Sequence, residues 1–395
     1  MKITYGKSVH GNAEIKAVLK VLKTSTQMGK NVRNLEKVVS KFFSKNYGVM
    51  TNSASSALMI AFEILNLPKN SEVITPCLNF GTAISALTQN NLKPIFVDIK
   101  LNTLCIDEDL IEKKINKKTR AILIPNLIGN CPNWEKISKI AKKYKLILIE
   151  DSADTIGAKY KNQSTGKYSD ISITSFYGSH IVNGAGNGGM LCLNNKKLYN
   201  KSLLLRSWGR SSSIFKENSE SIKNRFNIKL DGIDYDKKFI FETIGYNLEP
   251  SEISAAFALE QIKKLKKNYQ IRNRNFRIYY EYLKKNTDKF ILPDNNLKLH
   301  TAWLAFPIIL KEKKNLRRKQ LQIFLEKQNI QTRVIFSGNI LRQPAFKHLR
   351  KYNKVNTFKN SDYIMKNSIL VGLHQGLSKD NILKVVKNVD KFIKK

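Results

Sequence analysis

The chain has 395 residues, 42% of them hydrophobic and 25% charged, so it can bury a large core within two or three structural units and has the composition of a soluble globular protein. No apolar run approaches the roughly 18 residues of a membrane helix, and the amino terminus lacks the apolar core of a secretion signal. We therefore expect a cytoplasmic protein with no membrane contact.

The formal net charge is +38, from 69 lysines and arginines against 31 aspartates and glutamates. Such a charge attracts phosphate at long range and raises the question of nucleic-acid binding. The basic residues are mostly lysines scattered along the chain, as at Lys139, Lys142 and Lys143, and we find no nucleic-acid-binding motif. We therefore expect no nucleic-acid partner, whereas a nucleotide-bearing substrate would be electrostatically favoured.

The chain begins with two amphipathic helices, predicted from apolar residues at helical spacing, and a short strand at residues 47–50. Small hydroxylic residues then start an apolar helix, in the run TNSASSA at residues 51–57. The free N–H groups and the positive dipole end of such a helix start suit a phosphate. An ordinary helix N-cap explains the same residues equally well.

Strands and helices alternate from residue 72 onward. The pattern predicts strands at residues 72–76, 94–99, 120–126, 146–151, 170–174 and 190–193, and helices at 81–87, 108–115 and 134–144. Several strands are apolar throughout, as expected for strands covered on both faces. We therefore predict an α/β fold with a mainly parallel sheet of the seven-stranded type, sandwiched by helices, whose strand ends bring Asn126, Glu150, Asp151 and Ser175 to one crevice.

The second half of the chain is predicted to complete a large domain and form a smaller one. The polar segment 211–238 is expected to be a flap or excursion from the large domain, residues 1–250. Ser251 is the expected N-cap of a long helix reaching residue 282. Strands at 303–310 and 332–336 and helices at 315–328 and 379–394 predict a small C-terminal α/β domain, residues 251–395.

A glycine-rich loop follows Ser175 and contains a single imidazole, His180. Four glycines within residues 184–189 allow left-handed or closely packed backbone that side chains would block. Taken alone, a histidine in such a polar loop is more often a surface residue than a catalyst.

Several motifs together resemble the DegT-type sugar aminotransferases, which are fold-type I pyridoxal-phosphate proteins that act on nucleotide-linked ketosugars. The matching motifs are the hydroxylic helix start, Glu150-Asp151, Ser175-Phe-Tyr, Gly245-Tyr-Asn and VGLHQGLS from Val371. The resemblance covers nearly the whole chain and implies the fold-type I architecture. In that family, a lysine five residues after the serine binds the cofactor covalently. Here that position is His180, and no lysine lies between Lys167 and Lys196.

A histidine at this position resembles one branch of the family, the 4-keto-6-deoxyhexose 3-dehydratases. An imidazole cannot form the Schiff base of a lysine, but it can act as a general base near neutral pH. The runs AILIPNLIGN at 121–130, SWGR at 207–210 and GNILRQP at 338–344 add to this resemblance, which extends to members acting on GDP- and CDP-linked sugars.

Some CDP-linked dehydratases carry an iron–sulfur cluster, and the sequence argues against one here. The cluster cysteines of those enzymes follow the Trp-Gly-Arg run and lie beside the strand-end aspartate, where this chain has SSSI at 211–214 and Ser152-Ala153. Such clusters need thiolate ligands. The four cysteines that are present, Cys77, Cys105, Cys131 and Cys192, form no C-x-x-C pair, so we expect buried thiols and no metal.

The resemblance implies a role for each candidate cofactor residue. Asp151 would pair with the pyridine nitrogen and Phe80 would stack on the ring, while the amides of Ala54 and Ser55 and the Ser175 hydroxyl would hold the phosphate. Asp154 would lie near the phenolic oxygen of the cofactor. Taken alone, Asp151 is as readily a carboxylate that caps a nearby helix, and Phe80 a core aromatic.

The resemblance also implies residues for the partner subunit and the substrate. Asn247 would reach the cofactor phosphate of the partner subunit in a homodimer with shared sites. Arg333 and Arg342 are candidates for the substrate phosphate or the carboxylate of the amino donor. As surface residues they would need no such explanation.

The resulting hypothesis is a dehydratase that uses pyridoxal and pyridoxamine phosphate. His180 would remove a proton from the cofactor so that the C3 hydroxyl of a nucleotide-linked 4-keto-6-deoxyhexose leaves, and a donor such as glutamate would restore the amine form. The product would serve dideoxysugar and lipopolysaccharide synthesis. The alternatives are an aminotransferase that works without a lysine and a non-catalytic, regulatory family member.

Overall fold

The computed structural model describes residues 2–214, 222–294, 299–312 and 317–394. The strands are β1 (Tyr47–Thr51), β2 (Glu72–Pro76), β3 (Lys93–Val97), β4 (Thr119–Pro125), β5 (Ile147–Asp151), β6 (Lys159–Tyr160), β7 (Gln163–Ser164), β8 (Ile171–Ser175), β9 (Gly189–Leu193), β10 (Lys229–Leu230), β11 (Ile233–Asp234), β12 (Phe290–Ile291), β13 (Leu299–His300), β14 (Ala305–Leu310), β15 (Thr332–Arg333) and β16 (Ser368–Gly372). The α-helices are α1 (Asn12–Leu22), α2 (Lys30–Phe42), α3 (Ala54–Leu65), α4 (Gly81–Gln89), α5 (Trp134–Lys143), α6 (Lys196–Arg206), α7 (Ile222–Phe226), α8 (Glu252–Lys263), α9 (Leu265–Lys284), α10 (Arg318–Lys327), α11 (Lys359–Asn367) and α12 (Lys379–Ile393).

Seven strands form the central sheet, in the order β1-β9-β8-β5-β4-β2-β3. β9 is antiparallel to both of its neighbours, and the other pairs are parallel. The strands are almost wholly buried, with only the second residue of β4 exposed, because helices cover both faces. This confirms the predicted α/β fold class with a mainly parallel sheet.

A four-stranded sheet, β12-β14-β16-β15, lies in the C-terminal part. Its core includes the apolar faces of α9, α10 and α12 together with residues from the start of the chain, among them Ile3. Ile3 also forms a parallel bridge with Ile330. Helix α8 contacts α1 and α2, so the predicted small domain is tied to the first residues of the chain. The division at residue 250 stays a prediction.

Three local predictions differ from the structure. Residues 108–115 form two 3₁₀ turns rather than one helix, because the Asp107 side chain accepts a hydrogen bond from Asp109 N and stabilises a tight turn instead. The long helix after Ser251 is interrupted at Lys264, whose N–H bonds to Gln261 O, three residues back. The strand predicted at 332–336 has only two residues, and Phe336 at the end of the predicted range has a left-handed φ of 46°, which no strand residue adopts.

Only part of the predicted flap lies within the described residues. Residues 215–221 lie outside the described residues, whereas the remainder of 211–238 contains α7 and the short antiparallel pair β10–β11. Within the described ranges, we find no helix that is both long and apolar enough to cross a membrane.

Candidate active site

A cavity of about 380 Å³ lies where β4, β5 and β8 end and where α3 and α4 begin. The predicted residues that line it are Ala54, Ser55, Phe80, Asp151, Asp154, Ser175 and His180. Asn126 also lines it, as the strand-end argument predicted. Glu150 does not, since its carboxylate accepts bonds from Asn126 Nδ2 at 2.8 Å and Ser172 Oγ at 2.8 Å, in the fully buried interior.

The start of α3 combines the two roles that the sequence left open. Ser53 is the N-cap and its Oγ accepts a hydrogen bond from Ser56 N at 3.1 Å. The N–H groups of Ala54 and Ser55 have no hydrogen-bond acceptor among the described residues, as is usual for the first turn of a helix. Gly189 packs so closely that a Cβ there would lie 2.3 Å from Ala54 N. The helix start is therefore held against β9 with free donors at the cavity.

Asp151 and Phe80 fit a protonated pyridine ring. Asp151 is 8% exposed, and burial, followed by the nearby Glu150 charge, raises its pKa to about 6. Its Oδ1 accepts a hydrogen bond from Ala153 N at 3.1 Å, and a cationic partner in the cavity would stabilise its charged form. Phe80 is 55% exposed at the cavity rim, which is unusual for so large an apolar side chain and leaves a ring face to stack. These residues and the α3 donors therefore fit pyridoxal or pyridoxamine phosphate.

His180 lies beside Asp154, with 3.8 Å between Nε2 and Asp154 Oδ1. Burial and the Arg272 charge lower the pKa of His180 to about 4, so the imidazole is a free base at neutral pH. Its Nδ1 is buried without a hydrogen-bond partner in the described structure. Asp154 Oδ2 accepts a bond from Ile128 N at 2.9 Å, and burial and Asp151 raise the pKa of this carboxyl to about 7. The pair can therefore accept and hold a proton at the cavity.

Sequence reasoning missed Arg272, which is fully buried and whose charge lowers the pKa of His180. Its guanidinium donates to Trp303 O at 2.9 Å, Leu304 O at 3.0 Å and Gln375 Oε1 at 2.9 Å. The signal was present in α9, because Arg272 falls on the buried stripe with Tyr269 and Phe276 at helical spacing. The basic run around it hid this position.

Three candidates are not brought to the cavity lining within this chain. Arg342 is held by both oxygens of Asp362, at 2.5 Å each, so its fork is already occupied. Arg333 is exposed, with its guanidinium 5.7 Å from the centre of the Tyr5 ring. Asn247 is also exposed and forms a bridge with Ser207. Their binding roles stay predictions.

The cysteines and acidic residues show no arrangement typical of a metal site. The four cysteines are all buried and free. Over the described ranges, no group of three or more His, Cys, Asp or Glu side chains is placed to hold a metal ion.

Comparison with known proteins places this chain in a family. Residues 9–390 match the DegT/DnrJ/EryC1/StrS aminotransferase family. The lipopolysaccharide biosynthesis protein RfbH of Salmonella typhimurium is 33% identical over 90% of this chain and 84% of its own length. GDP-4-keto-6-deoxy-D-mannose 3-dehydratase of Escherichia coli O55:H7 is 30% identical over 93% of this chain and 94% of its own length.

The solved structures agree with this placement. The structure of E. coli GDP-4-keto-6-deoxy-D-mannose-3-dehydratase with bound hydrated PLP has a TM-score of 0.86 and 30% identity, covering 98% of this chain and 99% of that one. This similarity confirms the fold-type I architecture and the predicted cofactor class. The chain belongs to the DegT/DnrJ/EryC1/StrS aminotransferase family of pyridoxal-phosphate-dependent, sugar-modifying proteins.

Proposed function

We propose that this protein is a dehydratase that removes the C3 hydroxyl of a nucleotide-linked 4-keto-6-deoxyhexose, with His180 as the base. The observation that carries the proposal is the position of His180: an imidazole lines the cavity five residues after Ser175, where the resemblance expects a lysine. No lysine lines the cavity among the described residues. A site without that amine is suited to proton transfer rather than to covalent cofactor binding.

The residues of the chain divide the work of this reaction. Pyridoxamine phosphate, when bound, supplies the amine that meets the C4 ketone and an acceptor for the electrons released on proton removal. Asp151 would keep the ring nitrogen protonated, and the Ala54 and Ser55 amides with the Ser175 hydroxyl would hold the phosphate. His180 accepts the proton and can return it to the departing hydroxyl, and the Asp154 carboxyl lies 3.8 Å from its Nε2.

The products and co-substrates follow from this chemistry. Hydrolysis after the hydroxyl has left gives a 3,6-dideoxy-4-ketosugar and ammonia, and glutamate is the proposed donor that restores the amine form. The names of the E. coli and Salmonella relatives support a nucleotide-sugar substrate and a role in lipopolysaccharide synthesis. The nucleotide, GDP or CDP, is left open, and the cytoplasm is the proposed location.

The active form is proposed to be a homodimer with shared sites. Phe241 and Ile244 are 62% and 91% exposed, and they lie six and three residues before Asn247. Apolar side chains of this size suit a subunit interface, and Asn247 would then reach the cofactor phosphate of the partner subunit. The proposed domains are the large one, residues 1–250, and the small one, residues 251–395.

Mass spectrometry of the product tests the reaction. The protein is incubated with pyridoxal phosphate, glutamate and either GDP- or CDP-4-keto-6-deoxyhexose. We expect a sugar with one oxygen atom fewer and no nitrogen gained. A product that keeps its C3 hydroxyl and carries an amine in place of the C4 ketone oxygen would instead establish the aminotransferase alternative that the family name suggests.

Substitution of the base tests the residue. We expect His180→Asn to reduce turnover by about 10²–10⁴-fold, the usual worth of a positioned general base. Cofactor affinity, followed by fluorescence, should change little because the phosphate and ring contacts remain. Unchanged turnover in His180→Asn would point to a different base, whereas no turnover of any nucleotide sugar by the wild type would favour the non-catalytic alternative.

A further inference from the structure

The first residues of the chain pass directly over the loop that carries His180. We call residues 3–10 the N-terminal strap. A Cβ added at Gly6 would lie 2.6 Å from Ser179 Cβ, and Ser8 Oγ donates to Asn183 Oδ1 at 3.2 Å. The strap therefore contacts the loop on both sides of His180.

One end of the strap is anchored to the C-terminal sheet region. Ile3 N donates to Asn329 O at 2.8 Å, and Ile3 O accepts from Gln331 N at 2.8 Å. Tyr5 N donates to the Gln331 side chain at 2.9 Å. The backbone of Thr4 packs so closely that a Cβ on Gly372 would lie 2.3 Å from Thr4 O.

The other end is anchored to the helical layer. Val9 O accepts a hydrogen bond from Gln261 Nε2 at 3.1 Å, and the same side chain contacts Asn183 of the loop at 3.3 Å. Gly11 N is bonded to Glu14 Oε2 at 3.0 Å at the start of α1. Because both ends are held, the strap cannot move away from the loop as a body.

A side chain at position 6 must therefore move the loop. Gly6 does not have a left-handed φ, so alanine is compatible with its backbone. Contacts of 2.6 Å between two Cβ atoms do not persist, and the Ser179 Cβ is fixed by its own backbone, so rotation of a side chain cannot relieve the contact. The backbone of Ser179 would shift, and His180 is the next residue.

We propose that the N-terminal strap is a positioning element of the active site, and that the bare Gly6 sets the height of Ser179 and so aims His180 into the cavity. Gly6 and Ser8 are positioning residues that act through the loop. The inference rests on the proposed function for its activity measurement, but its effect on the loop is measurable without any substrate.

A double-mutant cycle on the full chain tests the contact. We expect Gly6→Ala to lower kcat about tenfold or more, since a misplacement of about 1 Å can cost as much as 10²-fold. Ser179→Gly removes the Cβ that a side chain at position 6 would contact. Adding Gly6→Ala to Ser179→Gly should therefore lower kcat by no more than about twofold. Gly11→Ala is the matched control, because nothing lies within 4 Å of a Cβ there.

Amide hydrogen exchange of residues 178–187 provides the second measurement. Gly6→Ala should speed exchange of this loop several-fold and Ser8→Ala should do so around Asn183, with the Gly6→Ala effect absent in the Ser179→Gly background. If the wild-type protein converts no nucleotide sugar, the proposed function fails while the exchange data still decide on the strap. Wild-type exchange in both Gly6→Ala and Ser8→Ala, or equal kcat losses from Gly6→Ala in both backgrounds, would overturn the inference.

Discussion

At the scale of single residues, two groups of the cavity lining with displaced pKa values define the chemistry of the site. His180 is held unprotonated by burial and by Arg272, whereas Asp154 is held protonated to about pH 7 by burial and by Asp151. Groups whose environments push their pKa values in opposite directions typify acid–base sites. Neither shift follows from the residue types alone, since both come from what surrounds the cavity.

The lowered pKa of His180 predicts a pH profile. With the cofactor bound, whose ring would stabilise the charged form of Asp151, we expect kcat/KM to keep its neutral value down to about pH 5, because an imidazole with a pKa of about 4 stays a free base there. An unperturbed histidine would lose half of its base form at about pH 6.5. Steady-state rates over pH 4–9 measure the fall of kcat/KM on the acid side. A midpoint of that fall near pH 6.5 would contradict the lowered pKa of His180.

The raised pKa of Asp154 predicts that the folded protein loses stability as pH rises. A carboxyl whose folded pKa lies above its unfolded value contributes stability below the unfolded pKa that is lost as pH rises through the folded pKa, here between about 4 and 7. Asp154→Asn should therefore gain free energy of unfolding relative to wild type, on the order of 2–4 kcal/mol, between pH 4 and pH 8. Urea unfolding of the cofactor-free protein at both pH values measures this, and a pH-independent difference would refute it.

At the scale of elements, side chains distant in sequence hold the helix starts around the site. Asp98 Oδ1, at the end of β3, accepts bonds from Ser361 N at 3.0 Å and Ser361 Oγ at 2.7 Å near the start of α11. Gly129 has a φ of 103° and packs on the Trp303 backbone, which places the Ile128 amide against Asp154. These contacts join the two sheets around the cavity.

Glu252 provides the clearest test at this scale. Its buried carboxylate accepts bonds from Gly29 N, Asn31 N and Val32 N, at 2.9, 2.5 and 3.1 Å, and so caps α2 from α8. Glu252→Ala should lower the free energy of unfolding by about 2 kcal/mol, since a helix start loses its acceptor. The exposed Glu281→Ala on α9 is the control and should change it by less than about 0.5 kcal/mol in urea unfolding.

At the scale of the whole molecule, charge and exposed apolar surface predict how the protein associates. The +38 charge should give only weak DNA binding that is lost at physiological salt, because its lysines are scattered. The exposed side chains before Asn247 are concentrated in one segment and suit a second copy of the chain.

A charged side chain in the exposed segment before Asn247 should dissociate the proposed homodimer. We expect Ile244→Asp to shift sedimentation from dimer toward monomer and to reduce activity with it, because burying an unpaired carboxylate at an interface is costly. Leu383→Asp, at an exposed apolar position on α12, is the control and should leave the association unchanged. Identical sedimentation of both variants and the wild type would place the interface elsewhere.

The local sequence pattern was sufficient to predict much of the fold and the strand-end and helix-start residues of the cavity. Apolar runs and hydroxylic helix starts depend on neighbouring residues, so the strands of the central sheet, the α3 start and the strand-end Asp151 were predictable. Residues 108–115 were not, because an Asx turn at Asp107 competes locally with the helix. The ion pair of Arg342 with Asp362 was also not predictable, since Asp362 becomes its neighbour only when the C-terminal segments fold together.

The sequence by itself determined the fold class and the family, and it showed a histidine where the resemblance expects a lysine, because these features lie in periodicity and in short motifs. Only the tertiary structure decided the protonation state and the orientation of that histidine. Its distance to Asp154, the buried charge of Arg272 and the strap across Ser179 all join residues that are distant in the chain. Desolvation and close packing, which set the protonation state and aim of His180, are properties of that three-dimensional neighbourhood.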